Sequence, residues 1–129
     1  MNELFITRLD EIFLQEKKEN WEDTAWENDK GSKVTIGHVI NWLKDKPVLN
    51  VNVKELSHML LSDLDKTRVK QADVNYPIIV VKSEGKYSMI IDGNHRLQKI
   101  IDNHGKSVKT KVLDLKDPKI PPEFVNVFT

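Results

Sequence analysis

The stretch Tyr87-Ser88-Met89-Ile90-Ile91-Asp92-Gly93-Asn94-His95-Arg96-Leu97 decides the fold, because a strand pattern changes within it to a helix pattern. Residues 87–91 form a β-rich run and predict a strand, whereas apolar side chains in 97–101 recur at helical spacing and predict a helix over 94–103. Asp92-Gly93 joins the two. We therefore expect the first amides of the helix at the carboxyl end of the strand, where α/β folds bind ligands.

Further elements are predicted on both sides of this junction. Residues 76–82 pair with 87–91 as a hairpin around the turn Ser83-Glu84-Gly85-Lys86. Gly105 is expected to cap the helix at its C-terminus, and residues 108–115 predict the next strand. Apolar and Asn residues alternate over 49–53, which indicates one more strand. The main domain is thus expected over 48–115.

The first 47 residues are interpreted as a helical appendage. An amphipathic helix is predicted over 4–13, a polar helix extension and loop over 15–33, and a short helix over 36–43 that Thr35 caps and Pro47 ends. Trp21, Trp26 and Trp42 in this part of the chain are expected to pack in a core rather than to stack on nucleobases.

The C-terminal tail, residues 116–129, contains Pro118, Pro121 and Pro122. These prolines predict no regular structure, although Phe124 and Phe128 are expected to dock onto a neighbouring segment.

Composition excludes several classes of function. The 129 residues fit one domain, and the 20 basic and 20 acidic residues give a net charge of zero, so no overall field attracts nucleic acid or anionic membrane. The absence of cysteine excludes disulfides, thiolate catalysis and cysteine-bound zinc. Neither a signal peptide nor an apolar run long enough to cross a bilayer is found, so a cytoplasmic protein that does not enter membranes is expected.

The junction at Asp92 to Arg96 favours an anion. Gly93 permits a sharp turn and a close ligand, Asn94 can cap, and the unpaired amides with the helix dipole attract negative charge. His95 and Arg96 are cations in a first turn, where the dipole disfavours them unless an anion is present.

Roles can be assigned to these side chains. With 97, 100 and 101 facing inward, Arg96 is predicted at the flank of the helix, and His95 with Lys99 on its outer side, all near the mouth of the junction. Arg96 would bind phosphate oxygens and His95 would donate or shuttle a proton. Asp92 would hold Mg²⁺ or accept a hydroxyl proton; alternatively, it only offsets the charge of Arg96. The alternative for the whole junction is a common turn with solvated side chains.

Other residues carry weaker signals. Arg68, with Lys66 and Lys70 nearby, is a candidate for further phosphate contacts, although such residues are mostly solvated. Asp63 and Asp65 are interpreted as a capped turn rather than as a second acidic pair. His38, His58 and His104 lack the spacing of a zinc site.

The chain resembles the ParB/sulfiredoxin superfamily of nucleotide-binding domains over about residues 49–115. The resemblance is carried by Val51-Asn52-Val53-Lys54-Glu55-Leu56, by Pro77-Ile78-Ile79-Val80-Val81, and by Asp92-Gly93-Asn94-His95-Arg96-Leu97. It implies a small α+β fold with a mixed sheet and packed helices. It also implies that Gly93, Asn94, His95 and Arg96 line the triphosphate of ATP or CTP, and that Asp92 is placed for catalysis or Mg²⁺ contact. Asn94 stands where sulfiredoxins carry their catalytic cysteine, which excludes sulfiredoxin activity.

Three functions follow as hypotheses. The first is a nucleotide-dependent enzyme that transfers or hydrolyses phosphate at the junction, with Asp92 and His95 as catalytic residues. The second is a non-catalytic module in which the same turn holds the phosphate of a nucleotide or of a nucleic acid, with residues 1–47 engaging a protein partner. The third is a ParB-like nuclease using Asp92 and His95, which the zero net charge disfavours together with any general affinity for nucleic acid.

Overall fold

The computed structural model describes residues 25–129, and within them the protein is a small α+β protein. The predicted helix over 4–13 and Trp21 therefore lie outside the described residues. The strands are β1 (Ala25–Glu27), β2 (Lys33–Thr35), β3 (Leu49–Asn52), β4 (Ile78–Ser83), β5 (Lys86–Asp92) and β6 (Ser107–Asp114). The helices are α1 (Ile36–Leu43), α2 (Val53–Leu56), α3 (Lys66–Gln71), α4 (Asn94–Asp102) and α5 (Pro122–Phe128), with a 3₁₀ helix at Ser57–Met59.

The chain divides into two compact units. Residues 47–114 form one of them, which we call the central unit. The other, the terminal unit, combines residues 25–46 of the described chain with residues 115–129.

A four-stranded mixed sheet in the order β3-β6-β4-β5 forms the central unit. The inner strand β4 runs parallel to β6 and antiparallel to β5, and β3 is antiparallel to β6. Ile78 to Val81 are four consecutive β-branched residues, all buried, as expected for an inner strand that is covered on both faces. The sequence-predicted hairpin of β4 and β5 is confirmed.

The core of the central unit lies on one face of this sheet. Leu97 of α4 and Leu56 of α2 are fully buried against apolar side chains of the strands. Those strand residues are Val51, Ile78, Val80, Ile90 and Val108. The predicted inward stripe of the helix is thus confirmed, and it fixes α4 over the sheet with its N-terminus at the end of β5.

The C-terminal end of α4 differs in detail from the prediction. His104 adopts the left-handed conformation (φ 60°), and its amide donates to Ile101 O at 3.0 Å while the Gly105 amide donates to Ile100 O at 2.8 Å. This is a Schellman motif in which Gly105 is the residue after the left-handed one. Glycine is required at position 105 by close packing and not by backbone conformation, since a Cβ there would lie 2.5 Å from Ile100 Cγ2.

The terminal unit contains a hairpin that the sequence did not reveal. Residues 15–33 were interpreted as helix and loop, but β1 and β2 pair antiparallel, with Trp26 opposite Val34. The side chain of Asn28 closes the turn by accepting from the amides of Lys30 and Ser32 at 3.0 and 2.9 Å. Three-residue strands give too short a pattern for periodicity to detect.

The prediction of an irregular tail is wrong for α5. Pro122 occupies its first helical position, where no amide hydrogen is needed and the ring is tolerated, so the prolines start this helix instead of preventing one. Its buried rings dock as expected. The ring centroids of Phe128 and Trp26 are 5.5 Å apart, and those of Phe124 and Trp42 are 6.3 Å apart in an edge-to-face arrangement. The two tryptophans thus make ring contacts typical of core packing.

No helix among residues 25–129 combines the length and the apolar character that a membrane crossing requires.

Candidate functional site

Gly93 forms the turn between β5 and α4. Its backbone is left-handed (φ 110°, ψ 18°), and its carbonyl accepts the first helical hydrogen bond from the Leu97 amide at 2.9 Å. A Cβ at this position would lie 2.4 Å from Ile78 Cγ2 and 2.6 Å from Ile78 Cβ. Glycine is therefore required twice, for the conformation and for the close approach of the turn to β4.

Asp92 and Arg96 form a buried ion pair beneath this turn. Arg96 Nη1 lies 3.4 Å from Asp92 Oδ2 and donates to Pro77 O, also at 3.4 Å. The side chain of Asp92 is only 4% exposed and that of Arg96 only 7%. The prediction that Arg96 lies at the flank of the helix is therefore wrong. A guanidinium tolerates this burial because a carboxylate and a carbonyl replace its lost hydration.

The ion pair ties three elements together: the end of β5, the first turn of α4 and the residue that precedes β4. This matches the alternative in which Asp92 offsets Arg96. The four-residue spacing of the two residues was the available sequence signal, whereas nothing in the sequence pointed to the carbonyl of Pro77.

Asn94 does not cap α4. It occupies the first helical position, and its Oδ1 accepts from the Leu61 amide at 3.3 Å, so it anchors the segment that follows the 3₁₀ helix. The capping position belongs to Gly93, which has no side chain. The N-cap residue therefore makes no side-chain hydrogen bond to the first-turn amides of α4, and this turn contains no acidic residue.

Lys99 is predicted near the mouth of the junction. In the structure it binds α3 instead. Its Nζ donates to Lys70 O at 2.7 Å and to Ala72 O at 2.8 Å. A cation at these last carbonyls stabilises the C-terminus of α3. Together with the Asn94–Leu61 bond, this contact aligns segment 61–72 along α4 in the same direction.

Helices α3 and α4 are therefore in contact, and the last carbonyls of α3 lie at Lys99. Arg68 lies on α3 with its side chain exposed, as do Lys66 and Lys70. The expected capped turn is confirmed: Asp65 Oδ1 accepts from the amides of Thr67 and Arg68 at 2.8 and 3.2 Å.

His95 lies half-buried in the first turn of α4. The other histidines have local roles. His38 belongs to the cap of α1, His58 Nε2 donates to Tyr87 O at 3.2 Å, and His104 adopts the left-handed conformation at the end of α4.

The described residues offer little for a metal ion by themselves. Between residues 25 and 129, no three His, Asp or Glu side chains are grouped as metal ligands. Asp92, the predicted metal ligand, is buried and paired with Arg96. A Mg²⁺ ion here would take its other ligands from nucleotide phosphates and water.

Comparison of the chain with models of protein families, with curated proteins and with solved structures finds no match in any of the three. The resemblance to the ParB/sulfiredoxin superfamily therefore stays a prediction from the residues that carry it.

Proposed function

We propose that the protein binds a nucleoside triphosphate, ATP or CTP, with its phosphates at the N-terminus of α4, in the manner of ParB/sulfiredoxin-like domains. Backbone amides of Gly93, Asn94 and His95 would donate to the phosphate oxygens. The exposed Arg68 on α3 would add a cation beside them. Mg²⁺ would enter with the nucleotide.

The glycine cap of α4 is the observation that carries this proposal. A strand leads directly into a nine-residue helix whose capping position is glycine, so the cap residue offers no side chain to the first-turn amides. Such amides, with the helix dipole, form a favourable environment for a phosphate. The charge of Arg96 is offset by Asp92, so the backbone amides are the groups that would bind the phosphate.

The burial of Asp92 favours a second candidate, a binding module without catalysis. A general base or metal ligand must reach the substrate, yet this carboxylate is engaged by Arg96 and is almost completely shielded from solvent. In the module, Asp92 and Arg96 hold the shape of the turn and the backbone amides bind the phosphate. Residues 1–47 would then engage a protein partner.

Calorimetric titration with ATP, CTP and their Mg²⁺ complexes tests binding. Asn94→Asp is the decisive variant, because it adds one negative charge at the first turn without changing the size of the side chain. We expect it to weaken nucleotide binding by about tenfold or more, through repulsion of the phosphates. Asn103→Asp, the same change in the residue after α4, is the matched control and is expected to leave the affinity within about twofold.

Absence of binding to every nucleotide would refute the proposal, as would equal losses in the two variants. Phosphate release measured with the same complexes separates the two candidates. Turnover that disappears in Asp92→Asn supports the enzyme, whereas binding without turnover supports the module. Cleavage of plasmid DNA that depends on Asp92 and His95 would instead support the nuclease.

A further inference from the structure

An exposed leucine, Leu61, lies beside the N-terminus of α4. It is 61% exposed, more than any other large hydrophobic residue among residues 25–129. A single exposed leucine is common on a protein surface and needs no explanation by itself. The position of Leu61 is what matters, because its amide donates to Asn94 Oδ1 at 3.3 Å, next to the amides of the proposed phosphate site.

Contacts on both sides hold Leu61 in this position. The residue before it, Leu60, has an extended backbone (φ −61°, ψ 138°) and packs against the core of the central unit. After it, Asp65 caps α3, whose last carbonyls accept from Lys99 of α4. The chain is therefore anchored before and after Leu61, while the leucine itself stays exposed to solvent.

The chemistry of this side chain restricts what it can contact in a ligand. Leucine has no polar side-chain atom, so it offers nothing to a phosphate or a hydroxyl group, but it gains from contact with an apolar surface. In a nucleoside triphosphate, only the faces of the base provide such a surface. The base is joined to the phosphates through one ribose, so it can reach a residue whose amide binds the side chain of Asn94.

We propose that Leu61 contacts the base of the bound nucleotide and so adds affinity that inorganic triphosphate does not receive. This inference rests on the proposed function, which places the phosphates at the N-terminus of α4. The amides of residues 93–95 bind the anion, and Leu61 selects for the organic part of the ligand. An apolar contact does not read the hydrogen-bonding edge of a base, so the contribution applies to both ATP and CTP.

Calorimetric titration of the full-length protein compares the Mg²⁺ complexes of ATP, CTP and tripolyphosphate, which has neither ribose nor base. Leu61→Ala removes most of the apolar side chain but keeps the amide that binds Asn94. We expect it to weaken nucleotide binding by about fivefold and to leave the affinity for tripolyphosphate within about twofold. Leu61→Met, which conserves volume and apolar character, should keep nucleotide affinity within about twofold of the unchanged protein.

Leu49 provides the matched control for the loss of an exposed leucine. It is 45% exposed and lies on β3, which two strands of the sheet separate from β5, the strand that leads into the site. Leu49→Ala should bind all three ligands as the unchanged protein does. Circular dichroism of each variant reports whether it is folded.

The results separate this inference from the proposed function. The role of Leu61 is overturned, and phosphate binding retained, if Leu61→Ala leaves nucleotide affinity unchanged, if it weakens tripolyphosphate as much as the nucleotides, or if Leu49→Ala causes the same loss. If the unchanged protein binds neither the nucleotides nor tripolyphosphate, the proposed function fails and this inference fails with it.

Discussion

Helices α1 and α4 both follow a strand directly, but their N-termini are built differently. In α1, Thr35 Oγ1 accepts from the His38 amide and His38 Nδ1 accepts from the Thr35 amide, both at 3.1 Å. This is a capping box, which satisfies free amides from within the chain. In α4, glycine takes the capping position and the nearest carboxamide, that of Asn94, binds Leu61.

The difference separates two ways of stabilising a helix start. In α1, local side chains bind the amides, so this end has a structural role. In α4, stabilising contacts lie beneath the turn, in the Asp92–Arg96 pair and in the packing of Gly93 on Ile78, and the cap residue has no side chain that could bind the amides. Substitutions at the two ends should therefore differ in kind and in size.

Arg96→Leu should have the largest effect. Removing one partner of a buried ion pair leaves the other charge in a site shielded from water, and we expect a loss of about 3–5 kcal/mol in the free energy of unfolding. Urea denaturation followed by circular dichroism measures it. The double variant Asp92→Asn/Arg96→Leu should recover a large part of the loss, because no buried charge remains. A single-variant loss below about 1 kcal/mol would show that the pair is solvated.

Gly93→Ala should have the second largest effect on stability. The added methyl group meets Ile78, and alanine is strained at a φ of 110°, so we expect destabilisation by about 3 kcal/mol. Gly85→Ala is the matched control: φ is 79° there, but nothing lies within 4 Å of the added Cβ. It should cost only the conformational part, about 1 kcal/mol. Equal costs at both positions would argue against close packing of the turn on β4.

Thr35→Ala tests the capped helix and should cost about 1 kcal/mol, while Thr35→Ser should cost little. Asn94→Ala removes only an exposed hydrogen bond to Leu61 and should cost about 0.5 kcal/mol. The same urea experiment compares the three variants. If Asn94→Ala costs as much as Thr35→Ala, the two N-termini are alike and the contrast between them is wrong.

The smallest effect is expected for a change at Asp117. Its Oδ2 lies 3.3 Å from Nζ of Lys46, a residue that follows α1. The Lys119 amide, and then the Lys46 ammonium, hold the pKa of Asp117 below its usual value of 3.8. The folded-state pKa is depressed, so this stabilisation is present above pH 3.8 and is lost as pH falls through the lowered pKa.

Urea midpoints of the unchanged protein and of Asp117→Asn should therefore differ at pH 6 and converge as the pH falls below 4. Lys46→Gln should keep part of the difference, since the Lys119 amide still donates to Asp117 Oδ1 at 2.9 Å. A difference that does not change with pH would exclude a role for this titration.

Most elements of the central unit could be predicted because their patterns are long and agree with local signals. The hairpin of β4 and β5 has a β-branched run and a glycine turn, and α4 has an apolar stripe that is followed by Gly105. The short α1 is a similar case, since Thr35 and Pro47 mark its limits. In contrast, β1 and β2 are three residues each, and α5 begins at a proline that local rules count against regular structure.

The candidate site was predictable in its position but not in its contacts. The strand-to-helix change at Gly93 is visible in the sequence. The burial of Arg96 depends on the carbonyl of Pro77, 19 residues away, and Asn94 and Lys99 bind backbone groups of Leu61, Lys70 and Ala72. Periodicity assigns a residue to a face of its helix but does not identify a distant backbone group that comes to lie there.

The two-part composition of the terminal unit has a consequence for synthesis on the ribosome. Asn28 donates to the carbonyl of Asn126, 98 residues later, and Trp26 packs on Phe128. The central unit is contiguous and can fold as soon as residues 47–114 have emerged. At about 5–20 residues per second, β1 waits roughly 5–20 s for α5. During translation, the strand made early is therefore the one whose partner arrives last.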